Sequence, residues 1–162
     1  ELWLRNGKTV SQKSQKHQRE GQLFNDSLVK CIVGPSTVMM DRKLYLEHGG
    51  FREDLEIGED YELWLRILAS NPISYVDAPL TIKRAGHGDQ LTGKYGHIEY
   101  FRIQALKDLV DRGSVAAENL SAARTELSRK CRIYSSGSAK RGKETDAAYY
   151  RELANMYSKD SG

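Results

Sequence analysis

The clearest pattern of hydrophobic and polar positions lies directly after Gly58. Apolar residues recur there at the spacing i, i+3, i+4 and i+7, which is one face of an α-helix, and they are Tyr61, Trp64, Leu65 and Leu68. Glu59 and Asp60 precede this face, and acidic residues are favoured in a first helical turn, beside its unpaired N–H groups. The pattern predicts a helix that begins at Glu59. Because acidic first turns are routine helix starts, the two acids alone do not indicate a function.

The amino-terminal segment carries a strong signal for a β-hairpin. Asn6-Gly7 stands between two short apolar runs, and this dipeptide favours the tight turn of a two-residue hairpin. The polar tract from Ser11 to Arg19 has no periodicity and is predicted to be a loop. Apolar residues at helical spacing predict a helix between Glu20 and Lys30.

Two elements are predicted between this segment and the main helix. The apolar run from Cys31 to Met40 indicates a strand, which is expected to begin at Ser36 because the proline before it has no N–H for a ladder hydrogen bond. Asp41 is expected to cap a short helix. Gly49 and Gly50 are expected to end that helix, since glycine readily takes the left-handed backbone conformation found after helices.

The segment after the main helix is predicted to be extended and then irregular. Pro72 is expected to close the helix, and the run from Ser74 to Lys83 indicates a strand near a sheet edge. A glycine-rich loop is predicted from Ala85 to Gly93, and it contains His87.

Three helices are predicted in the last third of the chain. The first ends at Gly113, and the second runs from Val115 to about Tyr134. A loop rich in serine, glycine and lysine is predicted to follow and to extend to Lys143, before a final helix that includes Tyr157. These helices are predicted to form an appended bundle.

Composition indicates a globular protein but selects no partner. Hydrophobic residues make up 39% of the chain and charged residues 29%, with a net charge of +3. This small excess of positive charge is compatible with phosphate-bearing ligands or an anionic membrane surface. It is equally compatible with a surface that only keeps the protein in solution.

Cys31 and Cys131 have no C-x-x-C neighbour, which excludes a zinc module and favours a reducing compartment. A cytoplasmic location is expected, with a peripheral position at a membrane left open.

In their order and spacing, these pieces resemble the carboxyl-terminal half of the catalytic domain of family 2 glycosyltransferases, which have the GT-A fold. The matching positions are 35–40, 49–51, 59–66, Tyr75-Val76, Pro79-Leu80, Arg84, His87 and Gln90. The resemblance implies an α/β fold, α+β within this chain, with a partial GT-A-like sheet and packed helices. Residues 1–110 would form the acceptor-side part of that domain, and residues 111–162 a helical extension.

The resemblance also implies a reaction and a role for individual residues. An inverting enzyme of this kind moves a sugar from a nucleotide-sugar donor to a hydroxyl of a glycan, lipid or protein acceptor. Asp60 would be the general base and Glu59 would orient the acceptor, although the two acids could exchange these roles. His87 would be a ligand to a divalent metal, Mn²⁺ or Mg²⁺. Arg84 would contact diphosphate oxygens or pair with a nearby acid.

Three further residues have both a structural and a functional interpretation. In the resembling family, the glycine turn before the acidic helix lets the backbone approach the donor sugar and the acceptor, which would make Gly49 and Gly50 substrate-binding residues. As helix caps, the same glycines would have a purely structural role. Tyr61 would either line the acceptor pocket or belong to the core.

The chain also departs from the family. It contains neither an Asp-x-Asp motif after a strand nor a glycine-rich turn that could receive a nucleotide. The chain is therefore expected to be part of a longer protein and to be inactive alone.

The alternative function is that of a non-catalytic helical protein-interaction domain derived from this fold. Nucleic-acid binding is not favoured, because the basic stretch from Lys8 to Arg19 has no interleaved aromatic residues. No pattern in the sequence predicts the oligomeric state.

Overall fold

A computed structural model of the chain describes residues 1–12, 19–85, 98–113 and 115–159. These residues form a mixed α/β structure, which confirms the predicted fold class at that level. The helices are α1 (Phe24–Val29), α2 (Arg42–Glu47), α3 (Glu59–Leu68), α4 (Ile98–Arg112), α5 (Ala117–Lys140) and α6 (Glu144–Lys159). The strands are β1 (Leu2–Arg5), β2 (Lys8–Thr9) and β3 (Ile82–Ala85). None of the helices in the described part of the chain is both long and apolar enough to cross a membrane.

The predicted hairpin is confirmed and forms one side of a small sheet. Asn6 and Gly7 have φ angles of 50° and 75°, and a two-residue turn of this type needs positive φ at both positions. The sheet order is β2-β1-β3. β1 runs antiparallel to β2 and parallel to β3, with Leu2 opposite Ile82. The two ends of a segment of about eighty residues therefore meet in one sheet.

The predicted strand from Cys31 to Met40 is wrong. The chain instead makes a short 3-10 turn at Pro35–Thr37, in which the Thr37 N–H donates to the carbonyl of Gly34 at 3.0 Å. Proline is well suited to the first position of such a turn, and its missing N–H costs nothing there. The segment consequently bends, and Cys31 faces the start of α3.

The predicted strand from Ser74 to Lys83 is only partly correct. Regular pairing is confined to β3, at the end of that run, and an isolated bridge joins Ile73 to Gly21. Between them the chain has no strand pairing.

α5 is longer than predicted, because residues 135–140 continue the helix rather than forming a loop. Ser135 and Ser138 face inward, and the hydroxyl of Ser135 donates to the carbonyl of Ala147 on α6 at 2.6 Å. About two turns earlier in α5, the hydroxyl of Ser128 donates to the carbonyl of Ala154 at 2.8 Å. Small side chains at this interface let α5 and α6 approach closely. Packing between the two helices therefore outweighs the low helix propensity of the serine-rich and glycine-rich sequence.

One hydrophobic core includes residues from all six helices except α2, whose Leu44 and Tyr45 pack against it. Its least exposed members include Tyr61, Leu63, Leu65, Ile103, Leu106, Leu127 and Cys131. The predicted domain boundary between residues 110 and 111 falls inside α4, and buried side chains from both sides of it belong to this core. The last helices are thus packed into the same core as α3.

A buried charge cluster joins α1, α4 and α5. Lys130 has a side chain only 3% exposed, and its ammonium group donates to the carbonyl of Val29 at 2.7 Å and to Glu99 at 3.0 Å. Glu126 lies 3.5 Å away. Burial opposes ionisation of Glu99, but Lys130 and Arg102 outweigh it and hold the pKa of this carboxyl below its usual range. Its contribution to stability is therefore present at neutral pH and is lost as the pH falls below the ordinary value of 4.5.

Replacing Lys130 by methionine is expected to lower the free energy of unfolding by about 2 kcal/mol. The change leaves the Val29 carbonyl without a donor and removes one partner from Glu99. The matched control is Lys43→Met on α2, where the lysine is 83% exposed and its pair with Glu47 spans 3.7 Å, so a change below about 0.5 kcal/mol is expected. Urea unfolding of both variants measures the difference. Equal effects would show that the buried cluster does not stabilise the fold.

Candidate functional site

The start of α3 is the candidate site, and the backbone there follows a tight path. Gly58 precedes the helix with φ 83°, a left-handed conformation that other residues adopt at a cost. A Cβ atom at this position would lie 3.4 Å from Cβ of Phe101 on α4. The first turns of α3 and α4 are thus neighbours. Glu59 and Asp60 follow Gly58, and both are partly exposed.

Both oxygens of the Asp60 carboxylate have partners within the chain. The backbone N–H of Tyr61 donates to Oδ1 at 2.6 Å, and the thiol of Cys31 lies 3.5 Å from Oδ2. Burial, followed by the charge of Asp60, raises the pKa of the Cys31 thiol to about 12. The thiol is therefore protonated at neutral pH and can donate. The sequence did not predict this contact, because Cys31 and Asp60 are 29 residues apart and the sequence pattern places Cys31 in an apolar run that leads into a predicted strand.

Tyr61 belongs to the core and does not line an open surface. Its side chain is 1% exposed, and its hydroxyl donates to the carbonyl of Leu28 at 2.6 Å. The guanidinium of Arg102 lies 5.9 Å from the centre of its ring, within the range of a cation–π contact. The structure therefore supports the interpretation of Tyr61 as a core residue. Arg102 is a charged neighbour of the site that the sequence did not single out.

The glycine pair has the geometry of a helix end. Gly49 and Gly50 have φ angles of 73° and 66°. The N–H of Gly49 donates to the carbonyl of Leu46, and that of Gly50 donates to the carbonyl of Tyr45, each at 3.0 Å. These bonds satisfy carbonyls that the end of α2 leaves unpaired, as the capping interpretation predicts.

An arginine connects the glycine turn to α3. Arg66 donates through Nη2 to the carbonyl of Gly50 at 2.7 Å and binds Glu62 through Nε and Nη2 at 2.9 and 2.7 Å. The side chains of both residues are largely buried, at 17% and 6% exposure. A two-point pair of this kind fixes geometry as well as contributing energy. The structure thus brings the glycine turn against the helix that carries Asp60.

Alanine at Gly50 is expected to be more destabilising than alanine at Gly49. Both positions have positive φ, which costs a non-glycine residue about 1 kcal/mol. At Gly50 the added Cβ would also lie 2.8 Å from the ring of Tyr45, whereas at Gly49 its nearest neighbour is 3.8 Å away. We expect losses of roughly 2 to 3 kcal/mol for Gly50→Ala and about 1 kcal/mol for Gly49→Ala. Thermal unfolding of the two variants checks the order, and a reversed order would contradict this packing.

Two predicted site residues remain, Arg84 and His87. Arg84 is exposed in β3, opposite Leu4 of β1. His87 lies outside the described residues. Within residues 1–12, 19–85, 98–113 and 115–159, no three His, Cys, Asp or Glu side chains are grouped so that they could hold a metal ion. The metal site therefore stays a prediction.

An open groove of about 420 Å³ lies between α1 and α5. Its walls include Leu28, Val29, Glu118 and Glu126, and none of the predicted site residues lines it.

No protein-family model matches the chain, and neither does any curated protein or solved structure. A functional assignment consequently depends on the residues at the start of α3 and on the resemblance described above.

Proposed function

We propose that the chain is the acceptor-side part of an inverting glycosyltransferase that uses a nucleotide-sugar donor. One observation carries the proposal: the partly exposed carboxylate of Asp60 stands at the start of α3, held on one side by the N–H of Tyr61. A general base needs an accessible and oriented oxygen atom, and the partial exposure of Asp60 together with the bond from Tyr61 supports this role. The order of the motifs around it is the order found in family 2 enzymes.

In the proposed reaction, Asp60 takes the proton of an acceptor hydroxyl while the hydroxyl oxygen attacks the anomeric carbon of the donor. The bond between that carbon and the diphosphate breaks on the opposite face, so the anomeric configuration inverts. The nucleoside diphosphate leaves with the electron pair of the broken bond. Glu59, also partly exposed, orients the acceptor hydroxyl.

The donor side of this reaction requires groups beyond those described. A divalent Mn²⁺ or Mg²⁺ ion would stabilise the charge of the leaving diphosphate, with His87 as one ligand. The Asp-x-Asp motif and the nucleotide-binding half would lie in sequence that precedes Glu1. The enzyme would act in the cytoplasm, with a peripheral position at a membrane left open.

The second candidate is a non-catalytic helical protein-interaction domain. Exposed apolar side chains on the last two helices favour it, because Ile133 of α5 and Tyr149 and Met156 of α6 are 55%, 50% and 52% exposed. Large apolar side chains in contact with water are common at surfaces that bind other proteins.

The deciding experiment uses the protein as its gene encodes it, with any sequence that precedes Glu1. Sugar transfer is measured with a panel of nucleotide sugars in the presence of Mn²⁺ or Mg²⁺, and NMR identifies the anomeric configuration of the product. We expect transfer with inversion and an Asp-x-Asp motif upstream of Glu1. A retained configuration would contradict the proposed role of Asp60. Absence of both the motif and any transfer would favour the interaction domain.

A further inference from the structure

The thiol of Cys31, in the irregular segment that follows α1, contacts the Asp60 carboxylate from outside α3. Its sulfur lies 3.5 Å from Oδ2 of Asp60 and 3.3 Å from the carbonyl oxygen of Val33. The single thiol proton can serve one of these acceptors at a time. A bond to a carboxylate is charge-assisted and therefore stronger than a bond to a neutral carbonyl, so Asp60 is the favoured acceptor.

The two contacts of Asp60 act from different directions. Oδ1 is bound by the N–H of Tyr61, which belongs to the same helix, whereas Oδ2 faces a thiol from the segment before the 3-10 turn. A carboxylate held at one oxygen alone can still change its orientation about the last side-chain bond. A second donor restricts that rotation, and each carboxylate oxygen retains a further lone pair for a substrate hydroxyl.

We propose that Cys31 is a positioning residue for Asp60, whose thiol donates to Oδ2 and holds the carboxylate in the orientation in which it accepts a proton from the acceptor. This inference rests on the proposed function of Asp60. It does not make Cys31 a nucleophile or a redox switch, because the thiolate that such chemistry requires is suppressed by burial and by the neighbouring carboxylate.

The chain contains an internal control for this contact. Burial alone raises the pKa of Cys131 to about 12, and this second cysteine is 0% exposed in α5. The pKa of Cys31 is raised to the same value by burial together with Asp60, while the Val33 backbone and the charge of Arg102 act in the opposite direction. Removing the charge at Asp60 should therefore change the reactivity of Cys31 and leave that of Cys131 unchanged.

The first test measures alkylation of each cysteine by iodoacetamide in the folded 162-residue chain, with peptide mass spectrometry as the readout. Removing a neighbouring like charge is expected to increase the Cys31 thiolate population about tenfold at pH 8. Each thiolate then becomes roughly threefold less nucleophilic, since nucleophilicity falls with pKa. We expect Asp60→Asn to accelerate alkylation of Cys31 by about threefold, with a smaller effect from Glu59→Gln. An unchanged rate, or an equal acceleration at both cysteines, would overturn the proposal.

The second test separates positioning from space filling. Cys31→Ala and Cys31→Ser have similar volumes, but only serine keeps a donor. We expect the side-chain carboxyl ¹³C resonance of Asp60 to move in Cys31→Ala and to return towards its original position in Cys31→Ser. Equal shifts in the two variants would mean that Cys31 only fills space. Both tests are independent of sugar transfer, so an enzyme assay that found no transfer would refute the proposed function without deciding the contact between Cys31 and Asp60.

Discussion

Replacing Asp60 by asparagine in the complete enzyme is expected to lower kcat for sugar transfer by about 10²- to 10⁴-fold, the usual contribution of a general base. Asparagine is close in size and can accept the hydrogen bond from Tyr61, but it cannot take a proton. The KM for the nucleotide sugar should change little, because Asp60 acts on the acceptor. Initial rates at saturating donor and acceptor measure this effect.

Two variants control for this result. The side chain of Asp26 on α1 is 59% exposed. Asp26→Asn removes this exposed carboxylate and should leave kcat unchanged. Glu59→Gln removes the neighbouring acid and is expected to raise the KM for the acceptor more than it lowers kcat. A larger loss of kcat in Glu59→Gln than in Asp60→Asn would mean that the two acids exchange roles. Normal activity in both variants would contradict the proposed mechanism.

Removing residues 114–162 is expected to abolish cooperative folding of the remaining chain. These residues supply the buried side chains of Ala123, Leu127, Cys131, Tyr150, Leu153, Ala154 and Tyr157. Loss of one large buried side chain typically costs 2 to 5 kcal/mol, so the combined loss is comparable with roughly 5 to 15 kcal/mol, the total stability of a typical domain. The cluster around Lys130 is lost as well.

Circular dichroism during thermal unfolding tests this prediction, with a chain that lacks only residues 160–162 as the control. We expect a cooperative transition in the control and a gradual, non-cooperative change in chain 1–113. A cooperative transition in chain 1–113 would support the extension interpretation, in which the last helices are an appended unit.

Local sequence signals predicted the elements whose determinants are themselves local. The Asn6-Gly7 turn, the cap at Asp41 and the start of α3 at Glu59 each depend on residues within one turn of the feature. In the cap, the carboxylate of Asp41 accepts from the N–H of Lys43 at 2.7 Å. The two acids at the start of α3 could be identified in this way, but their contact with Cys31 could not.

The wrong predictions share a different cause. Ser135 and Ser138 resemble loop residues by composition, yet both are helical and buried, and the hydroxyl of Ser135 bonds to α6. The segment from Cys31 to Met40 has the apolar composition of a strand but receives no pairing partner within the described chain. Which neighbour a segment meets is a property of the whole fold and is not visible in a short window of sequence.

The serine bonds between α5 and α6 also limit how the end of the chain can move. Ser128 and Ser135 are seven residues apart, and their acceptors, Ala154 and Ala147, are also seven apart. Sliding one helix by a single turn, about 5.4 Å, would break both bonds together. The two bonds therefore fix the register of α5 against α6 over about two helical turns.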